Sequence, residues 1–154
     1  MKKIATLSLG ALLLGTTLFA YDSAKAEGFN KFYSHLTHKA CANSKLFIDG
    51  NTVMKMYKEQ KEFLLIDVRT DGEAGIVALS AKNALHIPIA KLFQKENLDK
   101  IPTDKPVIVV CHSGVRATMA VVGLKQLGFK NVQVLKGGIV ALAKSDNPKN
   151  APMK

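Results

Sequence analysis

The chain has 154 residues, about one domain's worth, and its 47% hydrophobic and 22% charged residues exclude a disordered chain. Lysine and arginine total 22 against 12 aspartate and glutamate, a formal charge of +10 that favours anionic partners such as phosphate, sulfur oxyanions, nucleic acid or a membrane surface. Tryptophan is absent, aromatics are 6%, the lysines are scattered and no nucleic-acid motif appears, so small anions rather than nucleic acid account for the charge; two cysteines exclude a disulfide framework.

Residues 1–26 have the plan of a secretory signal peptide. A basic head, Met1-Lys2-Lys3, precedes a nearly unbroken apolar run from Ile4 to Ala20, and Ala24-Lys25-Ala26 supplies an A-x-A cleavage site. A membrane anchor is the rival reading, but the run is at the short limit for a span and is diluted by Gly10, Gly15, Thr16 and Thr17. Cleavage after Ala26 would leave a chain that is still basic. It would place that chain in the periplasm or outside the cell, where thiols tend to be oxidised.

Residues 27–45 form an extension in which Phe29, Phe32, Tyr33, Leu36 and Ala40 fall at helical spacing, predicting one helix with one apolar stripe. That stripe is expected to pack on the domain or on a second copy of the chain. The domain itself spans 46–145. Leu46–Ile48 reads as a strand, Asp49 as part of a capping turn, and Val53–Glu62 as a helix. Phe63–Val68 is a strand covered on both faces. Residues 70–84 read as irregular, with at most one helical turn. Leu85–Pro88 is a brief strand and Ala90–Leu98 a helix. Val107–Val110 is the clearest strand, and Arg116–Leu127 is a helix closed by Gly128. Val132–Leu135 is a strand, and a short helix follows Gly137-Gly138 as far as Ala143. Residues 146–154 read as a disordered polar tail. Strands alternating with helices imply a parallel α/β sheet, whose ligands bind beyond the carboxyl ends of the strands.

Cys111 stands at such an end. In Cys111-His112-Ser113-Gly114-Val115-Arg116 a strand delivers a cysteine to a loop, and a helix starts about one turn later. The free amides of loop and helix converge as an anion nest, and their positive field favours thiolate, the nucleophilic form. His112 and Arg116 add hydrogen-bonding or positive groups, and Gly114 permits the tight turn. The reading is an exposed, activated sulfur facing an anion receptor; the bland alternative is a buried structural cysteine.

Cys111–Ala117 resembles the active-site loop of the rhodanese family of sulfurtransferases. Three further segments agree, in the family's order. Leu65-Ile66-Asp67-Val68-Arg69 with Glu73 is similar to D-V-R…E, Asn83–Pro88 to G-A-x-x-I-P, and Gly137–Leu142 to G-G-x-x-A-W. Three departures stand beside them. The usual G-H-I-x-G after Glu73 is missing, Asn83 stands where glycine is common and can take its left-handed turn, and Leu142 replaces tryptophan. The resemblance implies a rhodanese-like α/β fold: a single domain whose central parallel sheet is flanked by helices, with a short N-terminal helical extension. It implies that Cys111 takes a sulfane sulfur from thiosulfate or a similar donor, becomes a persulfide, and passes the sulfur to cyanide or a thiol. On this resemblance the amides of Ser113, Gly114, Val115 and Arg116 would stabilise the outer sulfur, Arg116 and His112 would hold the donor's anionic end, and no metal or organic cofactor would be needed. A second copy or a sulfur-accepting protein is a candidate partner.

A sulfur carrier that turns over small molecules poorly shares the same persulfide. A cysteine phosphatase or arsenate reductase is disfavoured by spacing: Arg116 makes C-x4-R, whereas those enzymes use C-x5-R, a position held here by Ala117. Asp67 and Arg69 read as an ion pair tying loops together, ahead of direct substrate contact, with Glu73 in the same network. His86, between apolar neighbours, reads as a satisfied core histidine. His35, His38 and Cys41 would fan over about 120° of one helix and cannot converge on one ion, so no metal site is expected. A Cys41–Cys111 disulfide is the remaining alternative for those thiols.

Overall fold

The computed structural model describes residues 21–149. The basic head, the apolar run Ile4–Ala20 and the end of the expected tail lie outside the described residues. The chain divides into two compact units, Met1–Thr37 and His38–Lys154. In the first, helix α1 (Ser23–Tyr33) starts earlier than the apolar spacing suggests, because the Asp22 carboxylate accepts the Lys25 N–H and caps it. It ends where bonds from Leu36 N–H to Tyr33 and from Thr37 N–H to His35 tighten the chain out of the α pattern. Helix α2 (His38–Ala42) belongs to the second unit, so the single helix expected over the extension is two.

The second unit is built on a five-stranded parallel sheet, ordered β1-β5-β4-β2-β3. The strands are β1 (Phe47–Ile48), β2 (Leu64–Asp67), β3 (Ala84–His86), β4 (Val107–Val110) and β5 (Val132–Leu135). Every residue of β4 is buried, as its run of four β-branched residues requires at the centre of a doubly covered sheet. Val107 and Val109 face one layer with Ile66, Ala120, Val121 and Leu124. Ile108 and Val110 face the other with Leu65, Val53, Met54 and Leu135. The first layer is covered by α7 (Val115–Gln126) with α5 (Ile89–Leu92) and α6 (Lys95–Leu98). The second is covered by α3 (Gly50–Lys58) packed on α8 (Gly138–Ser145).

Two expected elements differ. The helix predicted over Ala90–Leu98 breaks at Phe93-Gln94, where Gln94 is extended, the Phe93 ring lies against Gly123 of α7, and the Asn97 amide donates to the Lys91 carbonyl at 2.8 Å. Within residues 70–84, α4 (Asp71–Ile76) runs longer than one turn. Thr70 and Glu73 cap it reciprocally: the Thr70 hydroxyl accepts the Glu73 N–H, and the Glu73 carboxylate accepts the Thr70 N–H.

Two features fix the chain at the carboxyl ends of the strands. Arg69, just past β2, forks onto Asp67, with Nη2 2.6 Å from Oδ2 and Nε 2.9 Å from Oδ1. The same Nη2 donates to the Val77 carbonyl at 2.6 Å, tying the end of α4 to β2. Both side chains are 3% exposed. At the start of α8, Gly138 has φ +60°, and a Cβ there would strike the carbonyls of Cys111 and His112. Those carbonyls accept the N–H groups of Ile139 (2.8 Å) and Val140 (3.5 Å), so the orphan donors of α8 are satisfied by the loop after β4.

Two outcomes follow for stability. Asp67→Ala leaves a guanidinium buried without its counter-charge and is expected to cost about 3–5 kcal/mol. Gly138→Ala combines left-handed strain with a backbone clash and is expected to cost at least about 2 kcal/mol. Both are read as lowered denaturant midpoints at constant slope; a midpoint within experimental error of wild type would remove the structural role given to that residue.

Candidate active site

The site is the turn that leaves β4. Cys111 is 1% exposed, so the sulfur is not the exposed group the sequence suggests. The chain wraps it. Sγ accepts the N–H of Gly114 at 3.1 Å and that of Ala117 at 3.4 Å, the second from the first turn of α7. Gly114 can aim its N–H inward because it stands at φ +109°, a left-handed conformation that glycine adopts without strain. Of the two amides that bond to Sγ, Gly114 belongs to the segment Ser113–Arg116 expected to carry them, and Ala117 stands one residue beyond it. His112, Ser113 and Val115 are exposed around this cup, Val115 at 63%. Negative charge on Sγ would sit against two N–H donors and the positive end of a twelve-residue helix.

Arg116 is paired with a carboxylate. Its Nη1 and Nη2 donate to Glu73 Oε2 and Oε1 at 2.7 and 2.6 Å. Glu73 is in turn held by the Thr70 N–H (3.1 Å) and hydroxyl (2.9 Å). The guanidinium and these Thr70 donors hold the Glu73 carboxyl far below the ordinary carboxylate range. Glu73 thus pairs with Arg116 rather than joining Asp67 and Arg69 by a direct bond. The pair links α4 to the loop after β4 across 43 positions, a connection that no local pattern in the sequence announces.

Other expected residues sit as follows. Asp67 and Arg69 support the site from the end of β2 and form the ion pair described above. His86 is not a core histidine: its side chain is 34% exposed and its Nε2 lies 3.0 Å from Asp71 Oδ1, because the strand ends at this residue and turns it to the rim. Asn83 does not take a left-handed conformation, since Gln60 alone among the described non-glycine residues has positive φ. Its side chain works as a brace instead, accepting the Tyr57 hydroxyl at 2.8 Å and donating to the Phe63 carbonyl at 3.0 Å. Cys41 is exposed and Cys111 buried, with no bond between them. Among the described residues no three His, Cys, Asp or Glu side chains gather as a metal site. No described helix is long and apolar enough to cross a membrane.

Beside the cup lies a recess of about 620 Å³ with no counterpart in the sequence reading. Ile76, Val77, Ile139, Val140 and Ala143 form its apolar wall, and His112, Glu73, Arg69 and Lys144 also line it. Its walls come from α4 and α8, which lie far apart in the chain, so no local pattern could announce it.

Comparison with known proteins agrees with this geometry. The model of the rhodanese-like domain matches residues 51–145. A sulfurtransferase of Allochromatium vinosum is 32% identical over 108 residues, covering 68% of this chain and 94% of that protein. The thiosulfate sulfurtransferase GlpE of Vibrio cholerae is 33% identical over 103 residues, covering 67% and 92%. The crystal structure of a rhodanese-related protein from Thermoplasma volcanium is 31% identical, with a TM-score of 0.53, over 66% of this chain and 93% of that one. With the family match spanning more than half of its residues, the chain belongs to the rhodanese-like domain family, and its kinship is with rhodanese-type sulfurtransferases.

Proposed function

We propose that the protein moves a sulfane sulfur from thiosulfate or a similar small donor to a thiophilic acceptor through a persulfide on Cys111. The observation that carries this reading is the cup itself: a cysteine at the carboxyl end of the central parallel strand, its Sγ facing two inward N–H groups. In the first step the Cys111 thiolate attacks the outer sulfur of thiosulfate. The new S–S bond forms as the donor's S–S bond breaks, and sulfite leaves with the electron pair. In the second step the acceptor attacks the outer sulfur of the persulfide, and the electron pair returns to Sγ as thiolate. Cyanide becomes thiocyanate, and a thiolate becomes a persulfide. Two half-reactions through one covalent intermediate predict ping-pong kinetics.

The loop divides the labour. The amides of Gly114 and Ala117, with the start of α7 behind them, favour the charge on sulfur at both stages. Burial of Cys111 selects donors whose sulfane end is slim enough to enter the cup. His112 and Ser113, exposed at the rim, are placed to meet the donor's anionic end. Arg116, engaged by Glu73, acts as a positioning residue that fixes the first turn of α7 behind the sulfur. The C-x4-R spacing that builds so tight a cup favours sulfur over phosphate chemistry. The sequence of residues 1–26 supports export to the periplasm or out of the cell as a cleaved leader, and a thiol partner or a second copy of the chain is the proposed acceptor or neighbour there.

Intact mass after thiosulfate treatment tests the chemistry. Wild type should gain one sulfur atom, lose it on adding cyanide, and gain none as Cys111→Ser; a reduced wild-type cysteine that stays unmodified overturns the proposal. Rapid steady-state turnover with cyanide marks an enzyme, whereas stoichiometric loading with negligible turnover marks a carrier. The Glu73–Arg116 pair gives a pH prediction. Because the folded-state pKa of Glu73 is depressed, the pair's contribution is complete above the usual value of 4.5 and is lost only as pH falls below it. The Glu73 carboxyl resonance should therefore show no titration midpoint near pH 4.5, and such a midpoint would show that the pair is not formed in solution.

A further inference from the structure

The chemistry above uses none of the apolar side chains of the recess beside the cup. Ile76 is 87% exposed, Val77 55% and Val140 39%, an unusual cost in apolar surface left facing water around a reacting centre. The recess adjoins the loop that forms the cup. Its Ile139 and Val140 bond through their N–H groups to the carbonyls of Cys111 and His112, the His112 side chain lines it, and Glu73 joins its wall to Arg116. At about 620 Å³ it falls within the range of roughly 300–1,000 Å³ typical of small-molecule sites, so its size suits a small molecule.

We infer that this recess holds the organic body of the sulfur acceptor, a small apolar thiol whose sulfur reaches the persulfide on Cys111. The inference rests on the persulfide reading and names the acceptor class that goes with it. Thiosulfate and cyanide are compact, hydrated ions that gain nothing from an aliphatic wall. A bulky molecule cannot reach Sγ itself, which the loop encloses. The outer sulfur of a persulfide stands one S–S bond, about 2 Å, farther out, and it is this atom that the acceptor attacks. Lys144 lines the same recess and has no ion-pair partner among the described residues, which favours an anionic group at the far end of the ligand. The step balances without an added oxidant: the acceptor thiol releases its proton to solvent, its thiolate bonds to the outer sulfur, the bond from that sulfur to Sγ breaks, and the organic persulfide leaves.

A homologous series of ω-mercaptoalkanoates, from mercaptoacetate to mercaptohexanoate, tests this with thiosulfate as donor and rates expressed per thiolate. In wild type, kcat/KM should rise about two- to fourfold for each added methylene, the upper figure corresponding to full burial. Ile76→Asn and Val140→Asn, at exposed positions that folding tolerates, should flatten the slope toward unity. Because the readout is a slope within each protein, a general loss of activity does not imitate it. A flat series in wild type, or an undiminished slope in both variants, overturns the inference. If either occurs while thiosulfate still loads Cys111 and cyanide still unloads it, the acceptor assignment alone fails; if Cys111 takes no sulfur at all, the persulfide reading fails with it.

Discussion

The architecture depends on how the chain turns after β4. A strand buried on both faces brings Cys111 to the top of the sheet, and the next residues fold back so that Gly114 and Ala117 point their N–H groups at its sulfur. Such a turn leaves the carbonyls of Cys111 and His112 facing outward beneath α8. They are satisfied because Gly138 lacks a Cβ and lets the first amides of α8 approach. Two helix beginnings therefore meet at one loop: α7 offers its amides to the sulfur and α8 offers its own to the loop carbonyls. Removing either would leave buried polar groups without partners, at a cost comparable to a lost hydrogen bond each.

Two ion pairs hold this arrangement from the side. Asp67 and Arg69 are buried, and their value lies in geometry, since a lone charge there would be far costlier than the pair. Glu73 and Arg116 are about one-third exposed, and their strength as a link comes from a saturated carboxylate that accepts from Arg116 and Thr70 at once. Through them α4, which carries few internal bonds of its own, becomes part of the site. The same element then supplies Ile76 and Val77 to the apolar recess. A single capping box thus places both a neighbour of the Cys111 loop and a wall of the adjoining cavity.

The enclosed sulfur and the exposed apolar recess are complementary. Cys111 is enclosed by its loop, while the recess beside it presents an apolar wall to solvent. In the proposed reaction a covalent intermediate would let one cysteine serve both donor and acceptor, because the sulfur to be attacked in the second half-reaction would lie farther out than the sulfur that attacks in the first.

Much of this was legible in the sequence. The β-branched run Val107–Val110, the alternation of strand and helix, and the order of four short motifs point to a parallel α/β sheet with Cys111 at a strand end. Local patterns fix such features, because side-chain branching, periodicity and glycine position act within a few residues. The folded chain decided the rest. Whether the sulfur is exposed depends on a loop bent by a left-handed Gly114 and clamped by α8. Whether Arg116 is free depends on Glu73, 43 positions away. Asn83 braces Tyr57 and Phe63, although its residue type suggests a turn. The recess exists because residues at the end of α4 and along α8 line one space. Each of these is a contact between distant segments, whose geometry is set when the layers of the sheet close and which no local spacing encodes.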